Sequence, residues 1–290
     1  EGTIYIRPDG SVDPSTAPIS TEDSCTDTQT GDIYDSIEIQ RDNIVFDGAG
    51  YTIERAGFLS AGISLVSRRN VAITNVEIKG FYYGIYLFRS SNNYIAGNNL
   101  TANEPDGIGL YSSSNNRIAG NFITENKENG IYLFESLGND IVGNNITANK
   151  YGVCLGVSSD NNNILGNNIA NNGNGIYLLM HYSTSIVGNN ITANKVYGIL
   201  FEMSSDHSVY HNNFISNTQQ VRFYTIPHNV WDDGYPSGGI YWSDYGERYP
   251  DAEEMDGSGI WDTPYVIDEN NQDNYPLMNP WTPTPEIGIE

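Results

Sequence analysis

The sequence predicts an all-β fold, a single-stranded right-handed parallel β-helix of about seven to nine coils with a cap at each end. Two motifs that recur with one period, and short alternating runs within each repeat, predict this fold. A Gly-Ile-x-Leu-like motif recurs every 22 or 23 residues, at Gly62, Gly84, Gly107, Gly130, Gly152, Gly175 and Gly198. An Ile-x-Gly-Asn motif keeps the same period, at Ile95, Ile118, Ile141, Ile164 and Ile186.

Each repeat is too short for a pair of helices, which needs roughly 33 residues. It holds short runs of alternating character instead. The run that begins at Gly84 places Ile85 and Leu87 on one face, and Tyr86 and Phe88 on the other. Because no run can bury a face alone, we expect successive coils to stack into parallel sheets around an aliphatic core.

Asparagines recur at an equivalent turn position of successive coils. Stacked side-chain amides can hydrogen-bond to one another along a solenoid and so satisfy the polar groups of its turns. We therefore interpret these residues as structural and not as ligand contacts. They are Asn98, Asn121, Asn144, Asn167, Asn189 and Asn212.

The two ends of the sequence differ from the repeats, as the open ends of a solenoid require. We expect an N-terminal cap and first strand in residues 1–43 and the coils in residues 44–220. A C-terminal cap in residues 221–282 contains all four tryptophans. A linker-like tail follows in residues 283–290.

The net charge of −23 argues against nucleic acid and anionic membranes as partners. No apolar run approaches the roughly 18 residues of a membrane span, so we expect no membrane insertion within this segment. The charge is uneven. Residues 221–290 hold 14 acids and 2 bases, whereas residues 61–220 hold 10 acids and 8 bases.

The opening run Asn43–Ile53 and three C-terminal segments carry a resemblance to a known family. Those segments are Gly239–Tyr245, Asp262–Asp268 and Asp273–Met278. They resemble the NosD-like proteins, also described as the carbohydrate-binding and sugar-hydrolase β-helix group, and the opening run is similar to archaeal surface members. The resemblance covers about residues 32–280. It implies the β-helix fold and an exported, extracellular or cell-surface location, and it leaves the activity open.

An outward apolar stripe stands out in the repeats. A continuous exposed apolar stripe usually marks an interface, here with sugar rings, with another subunit or with a terminal segment of the same chain. Cys154 lies in the stripe, so a disulfide to Cys25 would favour cover by the N-terminal segment. The stripe comprises Tyr86, Phe88, Tyr111, Tyr132, Phe134, Tyr177 and Leu179.

The acid-rich segment Asp244–Asp268 of the C-terminal cap is the best site candidate in the sequence, and we interpret it as a calcium site. Closely spaced carboxylates on a glycine-containing loop suit Ca²⁺, and the alternative is a solvated acidic loop. The candidate ligands are Asp244, Asp251, Glu253, Asp256 and Asp262. Related chains often have a cleaner Asp-x-Asn-x-Asp-Gly run here, from which this sequence departs. We expect no organic cofactor.

The name of the family suggests a copper site, and copper prefers clusters of His, Cys or Met. The only histidines are His181, His207, His211 and His228. Met180 and Met203 lie one coil apart near the first two, so Met and His pairs could stack on one side. We favour ordinary surface residues over a copper site.

Three Asn-x-Thr sequons, at Asn99, Asn145 and Asn190, are candidate glycosylation sites of an exported chain. They recur partly because the sequence repeat recurs.

Three functions remain open at this point. The first is a non-catalytic extracellular solenoid that assembles with itself into a surface layer, sheath or filament. The second is a module that binds a surface polysaccharide through the aromatic stripe. The third is a polysaccharide lyase, hydrolase or epimerase-like enzyme, which would need paired carboxylates or a suitably placed base. Because acids are sparse in the repeats and rarely align, we name no catalytic residue and favour the first.

Overall fold

The computed structural model describes residues 2–21, 23–55, 60–225 and 228–283 and shows an all-β parallel solenoid. Three long sheets, here called sheets A, B and C, run along it. In the described residues eight complete coils each contribute one strand to each sheet, which confirms the predicted fold. None of these residues forms a helix long and apolar enough to cross a membrane.

Sheet A has eleven strands in the described part of the chain. In spatial order they are β2 (Val12–Asp13), β1 (Thr3–Ile6), β5 (Ser36–Ile39), β8 (Ala61–Val66), β11 (Tyr83–Phe88), β14 (Asp106–Tyr111), β17 (Asn129–Phe134), β20 (Tyr151–Leu155), β23 (Asn174–Leu179), β26 (Tyr197–Glu202) and β29 (Gln219–Phe223). From β1 to β29 the neighbours are parallel, whereas β2 is antiparallel to β1.

Sheets B and C hold the shorter strands of each coil. Sheet B contains β3 (Ile19–Thr21), β4 (Thr26–Gln29), β6 (Ile44–Asp47), β9 (Val71–Thr74), β12 (Tyr94–Ala96), β15 (Arg117–Ala119), β18 (Asp140–Val142), β21 (Asn163–Leu165), β24 (Ser185–Val187) and β27 (Ser208–Tyr210). Sheet C contains β7 (Thr52–Glu54), β10 (Glu77–Lys79), β13 (Asn99–Thr101), β16 (Phe122–Thr124), β19 (Asn145–Thr147), β22 (Asn168–Ala170), β25 (Asn190–Thr192), β28 (Asn213–Ile215) and β30 (Tyr241–Trp242). A short helix α1 (Tyr245–Arg248) and a hairpin of β31 (Tyr265–Val266) and β32 (Gln272–Asp273) belong to the C-terminal cap.

The core is a set of aliphatic columns that run along the solenoid. Ile85 of β11 pairs in register with Ile108 of β14, which pairs with Ile131 of β17. All three are fully buried, as are Ile95 of sheet B and Leu100 of sheet C. Burial of such side chains is the main favourable term in folding, at roughly 1.5–3 kcal/mol each.

The glycine of the Gly-Ile-x-Leu motif faces this core. A Cβ atom on Gly130 would lie 2.6 Å from the carbonyl oxygen of Gly152 and 2.7 Å from Cγ2 of Ile146. Gly84, Gly107, Gly152, Gly175 and Gly198 have the same surroundings in their own coils. The motif therefore requires glycine because the next coil and the core leave no room for a side chain.

Buried asparagine ladders join the coils, and the predicted ladder is confirmed. Nδ2 of Asn98 and the backbone N–H of Asn98 both donate to Oδ1 of Asn121, at 3.0 Å. The same Nδ2 also donates to the carbonyl of Ile73 in the preceding coil. Each amide thus links its own coil to the coil before it and to the coil after it. It also satisfies backbone groups of the turn between sheets B and C.

Two further ladders, which the sequence reading missed, fill the other turns of each coil. One lies between sheets A and B and contains Asn93, Asn116, Asn139 and Asn162. The other lies between sheet C and the next strand of sheet A and contains Asn103, Asn126, Asn149, Asn172, Asn194 and Asn217. All three turns of most coils are therefore held by the same bonding pattern.

The ladder between sheets A and B changes chemistry towards the C terminus. Thr184 and His207 follow Asn162 there, and the backbone N–H of Thr184 donates to Nδ1 of His207 at 3.1 Å. His207 therefore accepts where an asparagine oxygen accepts in earlier coils, which requires a neutral ring with its proton on Nε2, directed at Ser204. Burial lowers the pKa of His207 to about 3 and that of its neighbour His181 to about 4.

The N-terminal region contains both capping strands and strands of the solenoid. Within residues 1–43, strands β1, β4 and β5 are parallel members of sheets A and B, and only β2 and β3 add antiparallel caps. The region lacks the repeat motifs, but Ile4, Ile6, Ile37 and Ile39 are buried at alternating positions. Alternation alone is enough to place a strand in the solenoid.

The C-terminal cap closes on a buried carboxylate. Asp273 accepts hydrogen bonds from the backbone N–H of Ile240 at 2.8 Å, from Nε1 of Trp242 at 2.9 Å and from the backbone N–H of Tyr275 at 3.1 Å. Burial nevertheless raises the pKa of Asp273 to about 7. Of the predicted tail, residues 284–290 lie outside the described residues.

Substitution Gly130→Ala should destabilise the protein by about 1–3 kcal/mol, because the added methyl group collides with the next coil and the core. Thermal and urea unfolding followed by circular dichroism measure this. Gly246→Ala is the matched control, since a Cβ atom there meets nothing within 4 Å. Equal stability of the two variants would contradict the assignment of the glycine column.

Substitution His207→Asn should make the protein less sensitive to acid. The pKa of His207 is lower in the folded chain than its ordinary value of about 6.5, so stability is present above that pH and is lost as the pH falls towards about 3. By pH 5 the loss from His207 amounts to roughly 2 kcal/mol. Unfolding of both proteins at pH 7 and pH 5 should show a smaller decrease for the variant. Parallel decreases would show that His207 does not titrate as the ladder geometry requires.

Candidate functional site

The outer face of sheet A is built by a break in strand alternation. Gly84 and Ile85 both face the core, because a Cβ atom on Gly84 would lie 2.7 Å from Cδ2 of buried Leu100. Tyr83, Tyr86 and Phe88 therefore all lie on the outer face. The ring centroids of Tyr83 and Tyr86 are 5.0 Å apart, and those of Tyr86 and Phe88 are 6.5 Å apart.

Tyr111 joins the rings of three coils. Its ring centroid lies 5.5 Å from that of Tyr86, 5.6 Å from that of Tyr132 and 6.2 Å from that of Phe134. The hydroxyl oxygens of Tyr111 and Tyr83 are 3.0 Å apart and hydrogen-bonded. The rings form one connected surface and are not separate exposed side chains.

Small residues interrupt the stripe in the sequence, but neighbouring rings cover the interruptions. A Cβ atom on Gly109 would lie 3.2 Å from the ring atoms of Tyr83 and Tyr111. At Gly156 the nearest atom is the hydroxyl oxygen of Tyr132, at 3.1 Å. Further along, the rings of Tyr151 and Tyr177 stack with centroids 5.3 Å apart.

All seven residues of the predicted stripe lie on this outer face, and each is half-buried by its neighbours. The structure adds Tyr83 and Tyr151 to them. The sequence reading missed both because strict alternation placed them inside, two residues before the buried aliphatic of the motif. The sequence signal that could have identified both is an aromatic residue directly before the motif glycine. We call the combined surface of these nine residues the aromatic face.

Neither described terminal segment covers the aromatic face. The N-terminal strands β1 and β2 extend sheet A at its edge. At the other end, the ring of Trp281 stacks on His211 with centroids 5.3 Å apart and lies against Gly188, at the turn between sheets B and C. The expected alternative of cover by a terminal segment is wrong for these residues.

The suggested disulfide is also wrong, since Cys25 and Cys154 are both free. Cys25 directly precedes β4 of sheet B, near the N-terminal end of the solenoid. Cys154 lies in β20 of sheet A, where it pairs in register with Tyr132 and Tyr177. The two residues belong to different sheets and to coils far apart, so their sulfurs cannot meet. Burial raises the pKa of the Cys154 thiol and keeps it protonated.

The aromatic face is rich in neutral hydroxyl groups. Burial raises the pKa of Tyr132 to about 12 and also raises the pKa values of Tyr83, Tyr111 and Tyr177. Their hydroxyls stay protonated in ordinary buffers and can donate and accept hydrogen bonds.

A cavity of about 320 Å³ adjoins the face beside β8, between Ser64, Val66, Tyr82 and the rings already described.

One carboxyl group is buried at this face. Asp106 is 1% exposed and accepts a hydrogen bond of 2.7 Å from Nδ2 of Asn129, its partner in the next coil. Burial raises the pKa of Asp106 to about 7, so the group changes charge near neutral pH. The equivalent positions of the neighbouring coils hold Tyr83 and Asn129 and carry no charge.

The predicted calcium ligands are not gathered into a site. Asp244 accepts from Nε2 of Gln220 and from the hydroxyl of Tyr265, and Asp256 accepts from the hydroxyl of Tyr235. Asp262 accepts from the backbone N–H of Glu253 and from Thr263, and the Asp251 side chain is exposed. Within the described ranges no group of three or more His, Cys, Asp or Glu side chains could hold a metal ion. Hydrogen bonds to other residues occupy Asp244, Asp256 and Asp262 instead.

The three sequons lie in strands of sheet C. Asn99 is in β13, Asn145 in β19 and Asn190 in β25, and the first two are half-buried while the third is exposed. Oδ1 of Asn145 accepts from Asn168, and Oδ1 of Asn190 accepts from Asn213. Glycosylation stays a prediction.

A family model described as "Periplasmic copper-binding protein (NosD)" matches residues 15–172 and 155–247. A search of curated protein sequences found no match. Among solved structures, the periplasmic alginate epimerase AlgG is 17% identical and has a TM-score of 0.56, over 78% of this chain and 72% of that one. Tailspike protein 2 of an Escherichia coli O157:H7 bacteriophage is 16% identical and has a TM-score of 0.56, over 72% of this chain and 36% of that one. These two likenesses show a shared fold.

The residues that the structure describes do not fit a copper site. His181 and His207 are buried with their ring nitrogens hydrogen-bonded inside the turn, whereas Met180 and Met203 are 41% and 43% exposed. The favoured interpretation of His181 and His207 as ordinary surface residues is therefore wrong, because both are buried. The alternative of Met and His stacked on one side is wrong too, because the histidines point inward and the methionines outward. No third His, Cys, Asp or Glu joins the histidine pair in the described chain.

Proposed function

The chain belongs to the NosD family, and we propose that it is an exported β-solenoid whose aromatic face binds an uncharged polysaccharide. One observation carries the proposal. The rings of Tyr83, Tyr86, Tyr111 and Tyr132 form a connected surface across successive coils, and no described segment covers it. The description of the family model as periplasmic and the epimerase among the related folds support export.

The chemistry of this surface suits a sugar. Aromatic rings offer flat apolar area against which the C–H faces of pyranose rings pack, while tyrosine hydroxyls reach polar groups beside them. The protonated hydroxyls of Tyr83 and Tyr111 are already paired at the surface and can exchange partners with sugar hydroxyls. One of the solved structures with this fold is an alginate epimerase, which supports a polysaccharide as the ligand class.

The dimensions favour a polymer over a single sugar. The aromatic face runs from β11 to β23, which are five successive strands of sheet A. At about 4.8 Å for each strand spacing, that length is roughly 19 Å. A polysaccharide that lies along the solenoid axis would meet rings of one coil after another.

The charge favours an uncharged polymer. The chain as a whole carries −23, and long-range repulsion would slow the approach of a polyanion. The coils that carry the aromatic face are nearly neutral, with 10 acids and 8 bases in residues 61–220. A neutral glycan meets little electrostatic opposition there.

Self-assembly, which the sequence reading favoured, has less support. End-to-end growth of a solenoid needs open strand edges. At the N-terminal end, antiparallel strands β2 and β3 are the outermost strands of sheets A and B. At the other end the outer edge of β29 has no partner strand in the described chain, but the cap with α1 lies beside that edge. We therefore rank polysaccharide binding above a filament or surface-layer role.

A second candidate function is catalysis on the bound polysaccharide, which Asp106 favours. A buried carboxyl group with a pKa of about 7 costs stability when it ionises, and such groups concentrate at functional sites. Asn129, its neighbour in register, shows that an amide fits this position of the strand. A general acid or base is most effective when its pKa lies near the working pH.

Substitution Tyr111→Ala should weaken binding to an uncharged polysaccharide about tenfold, because it removes the ring that joins three coils. Affinity electrophoresis in gels that contain soluble neutral glucans, mannans or xylans measures this. Tyr94→Ala is the matched control, since Tyr94 is 43% exposed on sheet B. Unretarded migration of the wild type in every gel, or equal losses in both variants, would overturn the proposal.

Substitution Asp106→Asn should lower the release of reducing ends by about 100-fold or more, if the bound polysaccharide is also hydrolysed. It should leave retention in the gels unchanged. The variant should also be more stable than the wild type at pH 8, because stability is lost in the wild type as the pH rises towards the Asp106 pKa of about 7. Reducing-sugar assays and NMR of the polymer measure the reaction, and an inactive wild type removes the catalytic candidate while binding stands.

A further inference from the structure

The C-terminal end of sheet A holds a cavity that the aromatic face does not use. In the described chain β29 is the last strand of sheet A and pairs only with β26. Sheet C continues for one more strand, β30, which pairs with β28. The chain then forms helix α1 where another strand of sheet A would follow. A cavity of about 470 Å³ lies between β29 and α1.

The walls of this cavity present several kinds of hydrogen-bonding group. Gln219 and Gln220 line it from β29, and Asp244, Glu247 and Arg248 line it from the cap. The backbone groups on the outer edge of β29 add main-chain donors and acceptors that no described strand takes up. The volume lies within the range of small-molecule sites, roughly 300–1,000 Å³.

The polar side chains are held in place by bonds behind the cavity. Nε2 of Gln220 donates to Oδ1 of Asp244 at 3.1 Å, and Oε1 of Gln220 accepts from the last asparagine of a ladder, Asn217. Cζ of the Arg248 guanidinium lies 4.2 Å from the ring centroid of Tyr265, and Nη2 donates to the carbonyl of Val266. These contacts pre-organise the polar wall before any ligand arrives.

We propose that this cavity is a second saccharide site, which takes one or two uncharged sugar units. A ligand that fits must offer donors and acceptors in the same small volume, because carboxylates, amides and a guanidinium surround it. Vicinal hydroxyls of a sugar do so, and each can donate to a carboxylate while it accepts from an amide or guanidinium. The acid-rich cap, with 14 acids and 2 bases in residues 221–290, disfavours an anionic ligand. The proposal does not depend on the aromatic face.

Ligand-observed NMR with the whole chain tests the site against glucose, mannose, galactose, xylose, N-acetylglucosamine and their β-linked disaccharides. At least one of them should bind to the wild type. Glu247→Ala, which removes an exposed carboxylate from the wall, should weaken that binding about tenfold, the effect of losing one hydrogen bond to a charged group. Gln219→Ala should weaken it as well.

Two control variants separate this site from its surroundings and from the aromatic face. Glu253→Ala removes another exposed carboxylate of the cap, outside the cavity, and should leave binding unchanged. Tyr111→Ala should also leave it unchanged, although it weakens retention by the polymer. The absence of binding across the panel, or a loss of binding that follows Glu253→Ala or Tyr111→Ala instead of Glu247→Ala, would overturn the second site.

Discussion

The bond between one coil and the next, made by buried asparagine side chains, is the interaction on which the rest of the structure depends. A solenoid turn buries backbone N–H and C=O groups that no strand partner can reach, and such groups are costly to leave unpaired. One amide resolves this at each turn, as Asn121 does when its Oδ1 accepts from both the side chain and the backbone of Asn98. Because the pattern occurs at all three turns, neighbouring coils have a single register. The straight aliphatic columns of the core follow from that register.

The same register places the outer side chains. The motif glycine has no room for a Cβ atom, and its inward position shifts the alternation so that Tyr83 and Tyr86 lie side by side outside. Register then places the rings of one coil beside those of the next, where Tyr111 lies between Tyr86 and Tyr132. The aromatic face therefore results from two features together. Successive coils stack in register, and aromatic residues occupy the outward positions of sheet A. A flexible loop could not hold so many rings in contact along one line.

Periodicity made the fold, one ladder and most of the aromatic face predictable, because each needs only a residue type that recurs every 22 or 23 positions. The remaining features depend on interactions that have no period. Tyr83 was missed because the glycine breaks strict alternation, and the repeat does not locate β1 because that strand carries no motif. The calcium assignment did not foresee that Asp244 and Asp262 accept hydrogen bonds within the cap, as buried Asp273 also does. A spacing of acids along the sequence does not reveal which of them fold towards a common point.

Stacking also determines where function can reside in such a molecule. Positions that face the core or the turns are constrained in every coil, and a change there must keep the bonding pattern, as His207 does when its Nδ1 accepts in place of an asparagine oxygen. Outward positions and the two ends carry no such requirement. Asp106 is informative for this reason, because the neighbouring coils show that its place tolerates an uncharged residue. The end of sheet A is likewise not constrained by a following coil, because β29 has no successor strand in the described chain. Residues of the cap therefore determine the walls of the cavity beside it. Variation at those outward and terminal positions is therefore where members of a solenoid family can differ in ligand without any change in fold.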